Sequence, residues 1–276
     1  MSPACRQGVR QAGAAVPRVL CGRYAVRGCI GRGSSATVHR ATDLCHGRDV
    51  AVKMPRPDSS RDGLRWEGAV WQALEHPNIA RILDQGEHDG VGFLVVELLE
   101  GGSLREVVMS GHALGGDRVA ALLGGPASAL AFMHAVGIVH GDVKPGNLLF
   151  DLSGVVKLID FGAAHRLTDR SWFAPAATPG YTAPDILFGA TPEPSDDVFS
   201  LGVVAYELLA GRHPFDRGAP VTGQEPVPPP GLAREGRAWL GAALSAERDD
   251  RPRDPCALVA ALRDGLWSGH EHGSPP

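Results

Sequence analysis

No C-x-x-C pair and no other metal-ligand spacing joins the cysteines of this chain, Cys5, Cys21, Cys29, Cys45 and Cys256, and their number is odd. A structural zinc site or a disulfide framework is therefore not expected, and the thiols read as reduced ones of a cytoplasmic protein. Long apolar runs are also missing. The longest, such as FLVVELL (93–99), are strand-sized, well short of the ~20 residues of a membrane-spanning helix. Neither sign of charge dominates, because 27 Lys and Arg against 31 Asp and Glu leave a net charge of -4. That balance gives no general attraction for nucleic acid or an anionic membrane, and neither is expected as a partner.

Acidic residues do not occur before Asp43. The opening stretch MSPACRQGVRQAGAAVPRVL carries only positive charge, through Arg6, Arg10 and Arg18, as a transit peptide would. It lacks the apolar centre of a secretory signal, so residues 1–22 are expected to be a disordered basic leader. Residues 266–276, ending in WSGHEHGSPP, are expected to be a flexible tail, and no internal repeat is found.

What is present is enough for one large or two-lobed globular unit, with 276 residues of which 43% are hydrophobic. From Tyr24 to about Val96 short β-like runs dominate, TVHRA (37–41), DVAVKM (49–54) and GFLVVEL (92–98), interrupted by a helical stretch over 63–75. After Gly102 apolar residues recur at three and four, in VAALLGGPASALAFMHAVG, SDDVFSLGVVAYELLAG, GLAREGRAWLGAALSA and PCALVAALRDGLW. The fold class is α+β, a small β-rich lobe followed by a larger helical one. Pro126 lies inside a helical run, at a cost of roughly 3 kcal/mol, and a kink or break is expected there. The Pro- and Gly-rich stretch GAPVTGQEPVPPPG should be a surface loop.

Several motifs can handle a phosphate and a metal. GRGSSATV (31–38) is rich in glycines that let backbone approach phosphate oxygens, although Ala36 stands where a third glycine would complete G-x-G-x-x-G. In VAVK (50–53) alternation puts Ala51 and Lys53 on one face, Lys53 to meet a polyanion and Ala51 to leave room for a flat base. A carboxylate must fix such a lysine, and Glu67 and Glu75 are the candidates. In HGDVKPGN (140–147) and IDFG (159–162), Asn147 and Asp160 offer hard oxygens to magnesium. Asp142 can accept a proton from an attacking hydroxyl while Lys144 offsets charge on a transferring phosphoryl group.

In type, order and spacing these motifs resemble a eukaryotic-type (Hanks-type) serine/threonine protein kinase over residues 24 to about 265. TPGYTAPD (178–185) resembles the segment ending in Ala-Pro-Glu, SDDVFSLGVVAYELLAG the helix after it, and DDRP, with Arg251, the late arginine that pairs with that glutamate. The alanine-, glycine- and arginine-rich composition resembles that of bacterial kinases from GC-rich genomes.

The resemblance implies ATP and Mg2+ as cofactors and transfer of the γ-phosphoryl group to Ser or Thr of protein substrates that the sequence does not name. It implies a kinase domain over 23–265, with an N-lobe at 23–97, a hinge at 98–102 and a C-lobe at 103–265. Glu67, nine residues before His76, is selected over Glu75 as the partner of Lys53. The nucleotide would be held by Ile30, Gly31, Arg32, Gly33, Ser34, Ser35, Ala36 and Val38 of the loop, with Ala51 and Lys53. Val96 as gatekeeper, Glu97 and Leu99 of the hinge, and Leu149 complete that set. Asp142 and Lys144 would serve catalysis, and Asn147 and Asp160 two magnesium ions. Trp71, Ile82, His140 and Phe161 would form an apolar regulatory stack anchored by Asp197. Thr168, Ser171, Thr178 and Asp185 fall in the activation segment. A monomer or weak homodimer is expected.

Three departures carry consequences. Gly141 stands where kinases switched by activation-segment phosphorylation commonly carry Arg, so no charge awaits a phosphate, and phosphorylation is not expected to be required, though Thr168 and Ser171 remain acceptors. A similar His-Gly-Asp triplet occurs in small-molecule phosphotransferases resembling aminoglycoside and choline kinases, but Lys144, the full Asp-Phe-Gly and TPGYTAPD fit the protein kinase pattern. A nucleotide-binding scaffold without turnover would require loss of Lys53, Asp142 or Asp160, and all three are present. Asp185 replaces the usual glutamate, so its bridge to Arg251 is expected to be weaker or water-mediated. At 217–231 a docking helix of the family is expected to be reduced or absent. Many bacterial relatives carry a membrane span and an external sensor, and none is seen here, so regulation is expected from a cytosolic partner, self-association or expression, or not at all.

Overall fold

The computed structural model describes residues 18–57, 59, 61–169, 178, 180–215, 226–232 and 234–264. The expectations for the leader before residue 18, for Ser171, for 216–225 and for the tail lie outside them. The chain divides into two compact units, one of residues up to Arg65 with Ile82–Leu98, the other of Trp66–Arg81 with everything from Leu99 onward.

The first unit is a six-stranded antiparallel sheet in the order β1-β2-β3-β4-β6-β5, with β1 at Val19–Leu20, β2 at Tyr24–Arg32, β3 at Ala36–Asp43, β4 at Arg48–Pro55, β5 at Ile82–His88 and β6 at Val91–Glu97. One face packs Leu20, Tyr24, Ala41, Val50, Val52, Met54, Phe93 and Val95 into a core. The expected leader thus ends earlier than residue 22. Leu20 is fully buried in that core, and its strand pairs with Tyr24 and Ala25. Burying such a side chain contributes about 1.5–3 kcal/mol, more than ordering the backbone of a residue costs.

Helix α1 (Arg61–Trp71) buries Leu64, Glu67, Gly68, Val70 and Trp71. It ends four residues before the expected Glu75, because the hydrogen bonds tighten to Ala73 N→Val70 O and Leu74 N→Trp71 O. The residue before Pro77 is then disfavoured from helix. Residues 66–81 go with the second unit through backbone bonds to one strand, Ala80 N→Leu158 O at 3.0 Å and Leu158 N→Asn78 O at 2.8 Å.

The second unit contains α2 (Leu104–Met109), α3 (Gly116–Ala135), β7 (Ile138–Val139), β8 (Leu148–Phe150), β9 (Val156–Leu158), β10 (His165–Arg166), α4 (Pro184–Leu187), α5 (Pro194–Ala210), α6 (Arg234–Ala243) and α7 (Pro255–Asp264). Strands β8 and β9 pair antiparallel, as do β7 and β10. Helix α5 is buried on all sides from Ser195 to Leu209, as a central helix must be. A capping box of Glu193 and Asp196 starts it and Gly211, at φ +67, ends it. Pro126 does not break α3, which runs through it for 20 residues. Val119, Leu122, Leu123, Ala127, Leu130 and Met133 are all buried along that helix, and their summed burial exceeds the roughly 3 kcal/mol cost of the proline. Residues 226–232 are irregular, in keeping with a surface loop. Among the described residues no helix is long and apolar enough to cross a membrane.

Candidate active site

The loop after β7 is hung from α5. Asp197, 1% exposed, accepts hydrogen bonds from His140 N at 2.8 Å and Gly141 N at 2.9 Å, and lies 2.8 Å from His134 Nε2. Burial alone would raise its pKa. The hydrogen bond from His134 and the neighbouring histidines outweigh that and hold it below the ordinary carboxylate value. Gly141 has φ +76, and a Cβ on it would meet Ala163 O at 2.7 Å. The backbone itself therefore requires a residue without a side chain here.

His140 bolts this loop to the next. Its Nδ1 accepts from Asp142 N at 3.2 Å, so Nε2 carries the proton and donates to Ile159 O at 3.1 Å. The ring meets Phe161 edge-on at 5.2 Å, and Trp71 lies 4.8 Å from Phe161. Three members of the expected apolar stack, Trp71, His140 and Phe161, are thus in contact within the second unit. The fourth, Ile82, belongs to the first unit.

Asp142 sits at the centre of a polar cluster. Oδ1 accepts from Thr178 Oγ1 at 2.8 Å, and Oδ2 accepts from Lys144 Nζ at 2.6 Å and Asn147 Nδ2 at 3.0 Å. Lys144 Nζ also donates to Thr178 Oγ1 at 3.0 Å, and Asn147 Nδ2 to the Asp142 carbonyl at 2.8 Å. The carboxylate and ammonium are only partly buried, 18% and 27% exposed, so an acceptor hydroxyl could reach them from solvent. A carboxylate held by three donors is fixed in direction, which a general base needs.

The backbone carries Asp160 to the same loop, because Ile159 N donates to Asn147 O at 3.0 Å. Asp160 adopts φ +66, uncommon for a residue with a side chain. Its Oδ1 and the Glu67 Oε2 both lie about one contact distance, 3.4 and 3.5 Å, from where a Gly162 Cβ would be. With Nδ2 of Asn147 committed to Asp142, no described residue donates to its Oδ1. An amide oxygen and a carboxylate fit a hard divalent cation such as Mg2+, which takes few protein ligands and fills its shell with phosphate and water. No group of three or more His, Cys, Asp or Glu side chains able to hold a metal occurs among the described residues.

Asp185 was expected to reach Arg251 weakly or through water, and the structure replaces the water with a direct contact. Arg251 Nη2 binds Asp185 Oδ2 directly at 2.6 Å, and Nη1 binds Asp196 Oδ1 at 3.0 Å. The guanidinium side chain is fully buried and also donates to Ser245 O and Ala246 O. The missing methylene is made up by placement, since α4 starts at Pro184 and brings Asp185 onto the guanidinium. Burial pushes the Asp196 pKa up to about 6, against the pull of the Glu193 N–H, Arg248 and Arg251. Sequence reasoning missed Asp196 and Arg248, which bind at 2.9 Å, as well as His134. Only the Glu-x-x-Asp spacing of the capping box at 193–196 hinted at any of them.

In the first unit, register brings the expected nucleotide residues to one face. Directly opposed residues share a face, and Val38 pairs with Lys53, Ala51 with Val96, and Gly31 with Val38. Ala51, Lys53 and Val96 are all buried, on the side away from the core that Val50 and Val52 join. The loop from Arg32 to Ser35 is exposed, closed by Gly33 N→Ala36 O at 2.9 Å, while Ala36 itself is buried. Ile30 projects at 53% exposure. Glu97 ends β6, and Leu99 opens the second unit, where Leu149 bridges to Ser103. Thr168 lies exposed in the turn after β10.

Comparison with known proteins agrees with this geometry. The profile of the protein kinase domain matches residues 24–225. The chain is similar to the serine/threonine-protein kinase PknB of Mycolicibacterium smegmatis, 33% identical over 279 residues, and to that of Mycobacterium tuberculosis, 32% identical over 280 residues. Each alignment covers 94% of this chain and 45% of the relative. A probable serine/threonine-protein kinase of Streptomyces coelicolor is 36% identical over 219 residues, covering 74% of this chain and 32% of that protein. The chain thus spans less than half the length of the curated relatives it matches. With a lysine strand, a catalytic loop hung from a buried aspartate and an Asp-Phe-Gly turn all in place, the chain belongs to the protein kinase domain family.

Proposed function

We propose that this chain is an ATP-dependent protein serine/threonine kinase that transfers the γ-phosphoryl group of Mg-ATP to Ser or Thr hydroxyls, without requiring phosphorylation of its activation segment. The observation that carries this reading is the cluster of Thr178 and Lys144 on the Asp142 carboxylate.

Asp142 aims the acceptor hydroxyl and takes its proton as the oxygen bonds to phosphorus and ADP leaves. Lys144 offsets the negative charge on the phosphoryl oxygens during transfer. Asn147 and Asp160 would hold Mg2+, which supplies charge neutralisation at the phosphates. In the first unit, Lys53 serves the phosphates, Ala51 and Val96 the base, and the loop at 31–36, exposed from Arg32 to Ser35, the triphosphate. Independence from a phosphate is supported by Gly141, which brings no positive charge to the catalytic loop and is held instead by Asp197. The exposed free thiols Cys21, Cys29, Cys45 and Cys256 suit a reducing compartment, and we place the enzyme in the cytoplasm.

The test is transfer of labelled γ-phosphate from ATP with magnesium to the protein itself, to a generic protein acceptor and to amino-alcohol small molecules, with Asp142→Asn alongside. Label on Ser or Thr that vanishes in the variant supports the reading. Label on small molecules alone, or none anywhere, overturns it. Loss of activity after phosphatase treatment, mapped to Thr168 or Ser171, overturns the phosphate independence.

A further inference from the structure

We propose that Trp66 and Arg166 are positioning residues, forming a strut that holds the end of α1 against the strand after Asp-Phe-Gly and so sets Glu67 and Asp160 without a phosphate. The inference rests on the reading of the chain as a protein kinase.

Trp66 is 38% exposed on α1, on the side away from Leu64, Gly68 and Trp71 and one turn before the buried Val70. Its Nε1 donates to Ala164 O at 3.3 Å, and the Arg166 guanidinium lies 5.4 Å from its ring centroid, within cation–π range. Arg166 Nε is buried with no hydrogen-bond partner among the described residues, so the ring face is what the guanidinium is offered there.

The strut connects to the chemistry through three short steps. Trp66 adjoins Glu67, which is 3% exposed and packs near Gly162 and Asp160. Strand β10 pairs with β7, His165 with Val139 and Arg166 with Ile138, and Leu167 N donates to Gly137 O at 2.9 Å. Strand β7 runs directly into His140 and Asp142. On the other side of the loop the bare Gly141 lets Ala163 O come to within 2.7 Å of where its Cβ would be. Packing and one indole therefore join α1, the Asp-Phe-Gly turn and the catalytic loop, at the place where a charged loop would need an added phosphate to be ordered.

The test compares phosphatase-treated wild type with Trp66→Ala, Trp66→Phe, Arg166→Met and the Trp66→Ala/Arg166→Met double variant. Phosphoryl transfer to a generic protein acceptor and amide hydrogen exchange are both measured. Trp66→Ala and Arg166→Met should each lower kcat about ten-fold with KM for the acceptor unchanged, the double variant no further than Trp66→Ala, and Trp66→Phe by less. Exchange should quicken at 66–71 and 164–167. Losses that add in the double variant, or unchanged kcat and exchange in both single variants, overturn the strut. If the wild type itself transfers no phosphate the kinase reading falls, and the exchange data still decide whether the strut exists.

Discussion

Thr178 Oγ1 donates to Asp142 Oδ1 at 2.8 Å, joining a residue of the TPGYTAPD segment to a carboxylate 36 positions earlier. With Lys144 on the other oxygen, the carboxylate is held from two sides by groups that themselves touch each other.

Removing that hydroxyl should misdirect the base without removing it. Thr178→Val is expected to lower kcat about ten-fold, the worth of one hydrogen bond to a charged group, while Thr178→Ser retains most activity. Asp142→Asn should cost about 100- to 10,000-fold. Steady-state phosphate transfer, with circular dichroism as a check on folding, measures both.

Arg251 is fully buried and bound by Asp185 and Asp196. Arg251→Met should destabilise the protein by about 3–5 kcal/mol, because it leaves Asp196 desolvated with one partner fewer. Asp185→Asn leaves the Arg251 contact to Asp196 in place and should cost less. Urea unfolding of the two variants gives the order.

Gly141→Ala is expected to destabilise by about 1–3 kcal/mol, through the left-handed φ and the contact with Ala163 O. Gly141→Arg should do the same, and its added charge should make activity depend on phosphate. Thermal melting and a phosphatase-treated activity assay test the two halves of this expectation.

A pH dependence follows from the first unit. The Arg23 guanidinium, bound to both oxygens of Asp43 at 2.9 Å, holds that carboxyl well below its ordinary 3.8. The stability it contributes is present above about pH 4 and is lost as pH falls through the lowered folded value. Between pH 4 and 2 the wild type should lose more stability than Asp43→Asn, as read from urea midpoints at successive pH values.

Much of this protein is legible along the chain. Alternation placed Ala51 and Lys53 on one strand face, three-four periodicity marked α3, α5, α6 and α7, and the order of Lys53, Asp142, Asn147 and Asp160 pointed to phosphoryl transfer, because these are local patterns. What depends on distant segments meeting was decided only by tertiary structure. Pro126 stays helical because burial along α3 outweighs one lost hydrogen bond, and Leu20 joins the core because a hairpin returns it to Tyr24. Asp185 reaches Arg251 directly because α4 places it there, and Trp66 gains a role only because β10 brings Ala164 and Arg166 beneath it. Residue type and spacing determine which chemistry the chain can perform, while three-dimensional packing decides which groups hold it in place, since the partners of a buried charge or an exposed ring are set by distance and not by sequence separation.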